Sequence, residues 1–384
     1  MKKSLVLSAA LVLSASAAMA LSGSNGDFQL KGNLKNFGDT VIVYKGRGVK
    51  MDTVLVKKDK FTYSTKLDKV TDLMLLTPGA MRGTDRTMCQ LVAVPGEKAE
   101  LTGDVKSRYD ITGSTFYKQY HVLDLMKEES GKKMNALSDS LNTLMENGAK
   151  QEDVYKIYNE KMPALKKEQN DQFYAYIRQH ANEDATATLV TEFEEVEEME
   201  KVAAMLSTDV QNGRMKSYYQ PAIDRAKAQK EADEKAAKLQ ATGVEAPDFT
   251  LKDIDGNDFT LSSLRGKYVI LDFWGSWCGW CIKGMPQMKE YYKKYAGKFE
   301  IVGVDCNDTD QKWKDAVKKH ELPWKHVYNP RANSEEEHAG NVLGKYGIQG
   351  FPTKIVISPE GKIVKTIVGE DPAFYTLLDE LFSK

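Results

Sequence analysis

At 384 residues the chain is too long for one ordinary core, so two or three domains are expected, with ample apolar material to bury. Its 41% hydrophobic and 28% charged residues are the proportions of a soluble globular protein. A net charge of -1 removes any global electrostatic case for nucleic acid or a membrane surface, which leaves small molecules or proteins as partners.

The first residues carry Lys2 and Lys3, an apolar run from Leu5 to Leu13, and small residues ending at Ala18-Met19-Ala20. That is the pattern of a secretory signal, residues 1–20, cut near Ala20, with an uncleaved anchor as the alternative. The run is short for a bilayer and nothing later is long and apolar enough, so no stable membrane insertion is expected after cleavage. Export places the chain in the periplasm or another extracytoplasmic part of the envelope, an oxidising compartment. Four cysteines are too few to staple a scaffold, so a close pair points to chemistry.

Residues 21–114 read as a small antiparallel β domain. Alternating runs at Phe28–Gly32, Thr40–Tyr44, Thr53–Val56, Phe61–Thr65, Leu73–Leu76, Gln90–Val94 and Ala99–Thr102 are broken by Gly, Asp, Asn and Pro, as strands and turns of a sandwich-like fold would be. From Thr115 the period turns helical, and residues 115–241 form a helical segment. Phe116, Tyr120, Leu123 and Met126, then Leu137, Leu141 and Leu144, then Phe173, Tyr176 and Ile177 fall at three- and four-residue steps, which predicts core-facing stripes. Asp224 to Gln240 alternates Lys, Glu, Asp and Ala, a solvated helix that serves as a semi-rigid spacer.

Residues 242–384 change character again. Tyr268 to Phe273 is almost continuously apolar and predicts a central strand covered on both faces, interrupted by Asp272. Cys278 and Cys281 follow and open a helix with Met285, Met288, Tyr291, Tyr292 and Tyr295 on one face, kinked by Pro286. Phe299 to Val304 is the next strand, reached by a right-handed crossover. Asp310 to His320 is a helix with Trp313 and Val317 inward, Lys354–Ser358 and Lys362–Val368 form a hairpin, and Asp371-Pro372 caps the last helix.

Two cysteines separated by two residues at a helix start form a centre for disulfide exchange. The free amides and positive dipole end of the helix favour a thiolate at Cys278. Lowering a thiol pKa from about 8.5 to about 7 takes about 2 kcal/mol and makes roughly half of it thiolate at neutral pH. Cys278 is therefore the expected attacking sulfur, and Cys281, one turn deeper, the one that resolves the mixed disulfide.

Val269 to Cys281 and Lys345-Tyr346-Gly347-Ile348-Gln349-Gly350-Phe351-Pro352-Thr353 resemble the two signature segments of thioredoxin. Ala246-Pro247-Asp248-Phe249-Thr250-Leu251, Asp255-Gly256 and Leu264-Arg265-Gly266-Lys267 are similar to the preamble of the TlpA/ResA-like exported thiol-disulfide oxidoreductases. The resemblance covers roughly Gly243 to Lys384 and implies an α/β thioredoxin fold at the C-terminus. It also implies that Asp272 lies beneath the second cysteine, where a carboxyl of raised pKa accepts the proton of Cys281. A satisfied structural Asp is the alternative. By the same resemblance the Phe351-Pro352 bond is cis and lays its backbone beside the cysteines, so that Phe351, Pro352 and Thr353 dock an extended substrate. Taken alone, Pro352 reads as an edge-strand or turn proline.

Trp277, Gly279 and Trp280 complete the expected docking surface, Trp280 standing where thioredoxin has Pro. Trp274 is as readily core. Where ResA-like members commonly carry Glu after the second cysteine, this chain has Gly284. Cys306 reads as a small buried residue, with a third redox thiol as the alternative, and Cys89 has no assigned role.

The resemblance implies no organic cofactor or metal. Electrons must come from a membrane or envelope donor, and the substrates are protein thiols and disulfides. A reductase or isomerase is expected rather than an oxidase. A thioredoxin-fold peroxidase is an alternative, but its reactive cysteine follows a Pro and a Thr at positions held here by Leu271 and Gly275. A zinc site lacks a second close Cys or His pair, since His320 and His326 match no cysteine spacing. A second class of alternative is an envelope protein that binds a partner on a redox-inactive scaffold.

Overall fold

A computed structural model describes residues 26–383, so the expected signal segment lies outside the described residues. They divide into two compact units, up to Lys227 and from Ala228.

In the first unit eight strands build two four-stranded sheets: β1 (Gly26–Lys35), β2 (Thr40–Tyr44), β3 (Asp52–Leu55), β4 (Lys60–Leu67), β5 (Thr71–Leu76), β6 (Met88–Ala93), β7 (Lys98–Asp104) and β8 (Arg108–Gly113). One sheet runs β4-β1-β7-β8 and the other β3-β2-β5-β6. Alternation drives this arrangement: Phe28, Leu30 and Leu34 of β1, like Val41 and Val43 of β2, are buried on one side while the residues between them stay wetter. The expected antiparallel pattern holds at every pairing but β1 with β7, which is parallel. β8 and a short helix α1 (Pro78–Arg82) had no clear alternating signal and were not expected from the sequence.

The helices α2 (Thr115–Glu146), α3 (Gln151–His180), α4 (Val196–Met205) and α5 (Thr208–Asn212), with a 3-10 helix at Asp184–Glu192, do not form a segment apart from the sheets. Phe116, Tyr117, Phe173 and Ile177 enter the same core as Phe28, Leu73 and Leu91, and the Tyr117 hydroxyl donates to the Val92 carbonyl at 2.7 Å. The expected separation at Thr115 is therefore corrected: one core joins strands and helices, because the aromatic start of α2 needs a sheet to cover it. The stripe of Leu137, Leu141 and Leu144 is corrected as well. Leu141 is buried, but Leu137 is half-buried and Leu144 exposed, since the far part of α2 packs against α3 alone.

α6 (Lys216–Leu239) contains the boundary between the units. Its charged tract was expected to be a wet spacer, yet the helix from Ala228 onward belongs to the second unit. Ala236 is buried beside Gly347, and the Gln240 amide donates to the carbonyls of Tyr346 and Gly347 at 2.9 and 3.0 Å.

The second unit is a seven-stranded sheet in the order β10-β9-β13-β12-β11-β14-β15. Its strands are β9 (Thr250–Asp253), β10 (Asp258–Thr260), β11 (Tyr268–Trp274), β12 (Phe299–Cys306), β13 (Lys325–Asn329), β14 (Thr353–Ile357) and β15 (Ile363–Val368). β11, β12 and β13 are mutually parallel, connected by α7 (Gly279–Lys294) and α8 (Asp310–Lys319), while β14 returns antiparallel on β11. Two short helices, α9 (Glu335–Gly340) and α10 (Val342–Tyr346), precede β14, and α11 (Ala373–Phe382) ends the unit. This is the thioredoxin fold expected for the C-terminal part.

Both faces of the sheet are covered. Ile270 and Trp274 of β11 face the core formed with α7, whereas Val269, Leu271 and Phe273 face the opposite one. Trp313 and Val317 of α8 are buried as their spacing required. Asp371 serves the last helix as expected in kind, its carboxylate accepting from Ala373 at 2.8 Å, with Pro372 as the cap residue and the helix starting at Ala373.

Candidate active site

β11 ends at Trp274, and a short turn delivers the chain to the N-terminus of α7. Asp308, which follows β12, holds that turn by accepting from the Ser276 amide at 2.6 Å and the Ser276 hydroxyl at 2.7 Å. Asp308 was not singled out from sequence, and no local spacing links it to Ser276. Gly275 is required by close approach. A Cβ there would lie 2.5 Å from the Trp277 indole nitrogen and 2.9 Å from the Cys306 carbonyl, the two atoms that hydrogen-bond each other at 3.1 Å.

Cys278 caps α7, its sulfur accepting from the Cys281 amide at 3.2 Å, and the two cysteines form a disulfide with Cα atoms 5.3 Å apart. Both are buried. What distinguishes them is position, since Cys278 faces the unpaired amides of the helix start and Cys281 sits within the first turn. Because side chains alternate along a strand, Asp272 lies on the same face of β11 as Ile270 and Trp274, the face that carries both cysteines. It is 4% exposed, and burial pushes its carboxyl up to about 6 against the pull of Lys354, with Glu370 pushing the same way as burial.

Lys354 and Glu370 were not expected from sequence. Lys354 stands opposite Asp272 in the β11–β14 register and is 2% exposed. Its ammonium lies 3.0 Å from the Glu370 carboxylate. The available signal was an isolated charge in the apolar run Thr353 to Ile357, the same kind of interruption that marked Asp272. Gly284, the departure from the ResA-like pattern, leaves a space on α7 that the Glu370 carboxylate fills from another element.

The Phe351-Pro352 bond is cis. The Phe351 ring meets that of Trp277 edge-on at 5.3 Å. Trp277 is 53% exposed and Trp280 is 62% exposed, with the Lys283 ammonium 4.7 Å from the Trp280 ring centre. Gly279 adds no side chain to the helix start. Thr353 is not part of this surface: it is buried, its hydroxyl donates to the Gly350 carbonyl at 2.8 Å, and its strand is paired on both sides. Its expected docking role is thereby corrected. Trp274 is core. Cys306 is buried, its thiol donating to the Val304 carbonyl and pushed well above the usual range by burial, and Cys89 is pushed up to about 12 by the same cause. Among the described residues no group of three or more His, Cys, Asp or Glu side chains is arranged to hold a metal, and no helix is long and apolar enough to cross a membrane.

Residues 242–366 match the AhpC/TSA family, and residues 28–120 match a domain of unknown function, DUF4369. The thiol-disulfide oxidoreductase ResA of Bacillus thuringiensis (strain Al Hakam) is 39% identical over 129 residues, which are 33% of this chain and 70% of that protein. ResA of Bacillus subtilis (strain 168) is 34% identical over 128 residues, 33% of this chain and 67% of that protein. The chain belongs to the ResA-like thiol-disulfide oxidoreductases. Among solved structures, this ResA-like protein is similar to the thioredoxin domain of a thiol-disulfide oxidoreductase from Bacteroides vulgatus, at 34% identity over 37% of this chain and 98% of that one, with a TM-score of 0.33. A thiol-disulfide oxidoreductase from Bacteroides fragilis NCTC 9343 is similar at 29% identity over 36% of this chain and the whole of that one, with a TM-score of 0.33. The ResA-like chain is, as an enzyme, a protein thiol-disulfide oxidoreductase.

Proposed function

We propose that the enzyme reduces or isomerises disulfides of envelope proteins through Cys278 and Cys281, after export by a signal cut near Ala20. The observation that carries the reading is the Cys278 sulfur at the cap of α7, disulfide-bonded to Cys281 and on the same face of β11 as the buried Asp272. In the reduced enzyme the Cys278 thiolate attacks a substrate sulfur, forming a mixed disulfide and releasing the other substrate sulfur as a thiolate that takes a proton. Asp272 then accepts the proton of Cys281, whose thiolate attacks Cys278. The Cys278–substrate bond breaks, its electron pair leaves with the second substrate sulfur, and the Cys278–Cys281 disulfide forms. Substrate has gained two electrons and the enzyme has lost two, which a dithiol donor of the membrane or envelope returns by the same exchange.

Trp277, Trp280 and Phe351 supply an apolar face for an extended polypeptide, with Gly279 admitting its backbone close to the helix start. The Pro352 carbonyl already accepts from the Gly369 amide at 2.8 Å, so strand pairing with substrate falls to the backbone of Phe351. Replacing Cys281 with Ala in the reduced protein should leave substrates covalently held at Cys278, identifiable after capture from envelope extract. Cys278→Ser should hold none and should fail to reduce insulin disulfides. Absence of any trapped protein in the Cys281→Ala variant overturns the reading.

A further inference from the structure

Three charged side chains, Asp272 and Lys354 buried and Glu370 half-buried, gather on the α7 side of the sheet, and only Asp272 has a part in the exchange proposed above. The ammonium of Lys354, the register partner of Asp272, lies 3.0 Å from the Glu370 carboxylate. Glu370 follows β15 and is held from a second side by the Tyr375 hydroxyl of α11, which donates to it at 3.1 Å. Its seat is made by an absence, because a Cβ on Gly284 would lie 2.3 to 2.4 Å from all three carboxyl atoms of Glu370. Glycine in a helix interior is unfavourable, and here it leaves the room in which a second carboxylate, that of Glu370, sits against α7. Burying an ion pair is costly unless its members find further partners; Glu370 has the Tyr375 hydroxyl, and the Lys354 ammonium lies 5.6 Å from the Phe374 ring centre.

We propose that Glu370, seated in the groove opened by Gly284, is a positioning residue that holds the Lys354 ammonium away from Asp272 and so keeps Asp272 able to accept the proton of Cys281. The inference rests on the reading of Asp272 as that acceptor. Were Lys354 free to pair with Asp272, the carboxylate would be a fixed counter-ion and a poor base. The groups that face Asp272 are Lys354 from β14, Glu370 from the turn after β15, Tyr375 from α11 and the two cysteines at the start of α7, while Cys306 of β12 lies on the opposite face of the sheet. Burial pushes Tyr375 upward, so it stays neutral near pH 7 and the charge balance is left to Lys354, which lowers the Asp272 pKa, and Glu370, which raises it.

The test is the carbon-13 carboxyl titration of Asp272 in the full-length oxidised protein. Glu370→Gln keeps the shape of the side chain and removes its charge; the Asp272 midpoint should fall by about one pH unit, as Lys354 turns to its remaining acidic neighbour. Lys354→Met should move the midpoint the other way. A midpoint unmoved in folded Glu370→Gln protein, or shifted in the same direction by both variants, overturns the proposal. The pH profile of insulin reduction separates this failure from that of the underlying reading: if Asp272→Asn reproduces the wild-type profile, Asp272 is no acceptor, whatever the titration shows.

Discussion

Asp272 is the residue at which chemistry and stability pull apart. An ionised carboxylate in a strand covered on both faces opposes folding, and burial accordingly raises its pKa to about 6. The sign follows directly. For a carboxyl whose folded value is raised, the stability contribution is complete below the ordinary value near 3.8 and is lost as pH rises through about 6. Asp272→Asn should therefore stabilise the second unit by about 2 to 3 kcal/mol at pH 8, with the gain vanishing toward pH 4, while slowing disulfide reduction. Denaturant titrations of both proteins at the two pH values measure this. An equal difference at both would mean that the charge is not what the fold opposes. Asp272 was visible in the sequence as an isolated charge in an apolar strand. Glu370 was not, because it lies in a polar turn far along the chain and acquires meaning only where Gly284 leaves room for it.

At the scale of elements, the strand-to-helix turn between β11 and α7 sets the geometry of exchange. The cysteine spacing and the strand before it were both legible, since periodicity and helix-start chemistry are local signals. The anchoring of the turn was not: Asp308 reaches Ser276 only because β12 lies beside β11, and the Trp277 indole reaches Cys306 for the same reason. Gly275→Ala should force the indole off the Cys306 carbonyl and cost about 1 to 3 kcal/mol, the usual penalty for overpacking. A changed tryptophan fluorescence and a raised KM for insulin should accompany the loss. Unchanged stability and fluorescence would mean that the turn has slack the close contacts deny.

For the molecule as a whole, the division into two units follows from cores rather than from changes of period along the chain. The switch from alternating to helical pattern at Thr115 marks a change of element inside one core, because Phe116 and Tyr117 pack against strands. The charged tract of α6 hid the real boundary, since salt-rich helical sequence looks alike whether it spans solvent or ends on a domain. The second unit has its own two-sided core and carries the Cys278–Cys281 disulfide, whereas Cys89 of the first unit is a buried free thiol. A disulfide between residues three apart closes a very short loop, for which the chain-entropy relation gives about 2 kcal/mol. Calorimetry should thus resolve two transitions, of which dithiothreitol lowers one by roughly 4 to 8 °C and leaves the other in place. Cys278→Ser should lower the same transition without reductant and make it insensitive to dithiothreitol. Were reduction to move both transitions together, the units would be one cooperative body, and the redox state of the cysteines would be felt as far as the β1 strand.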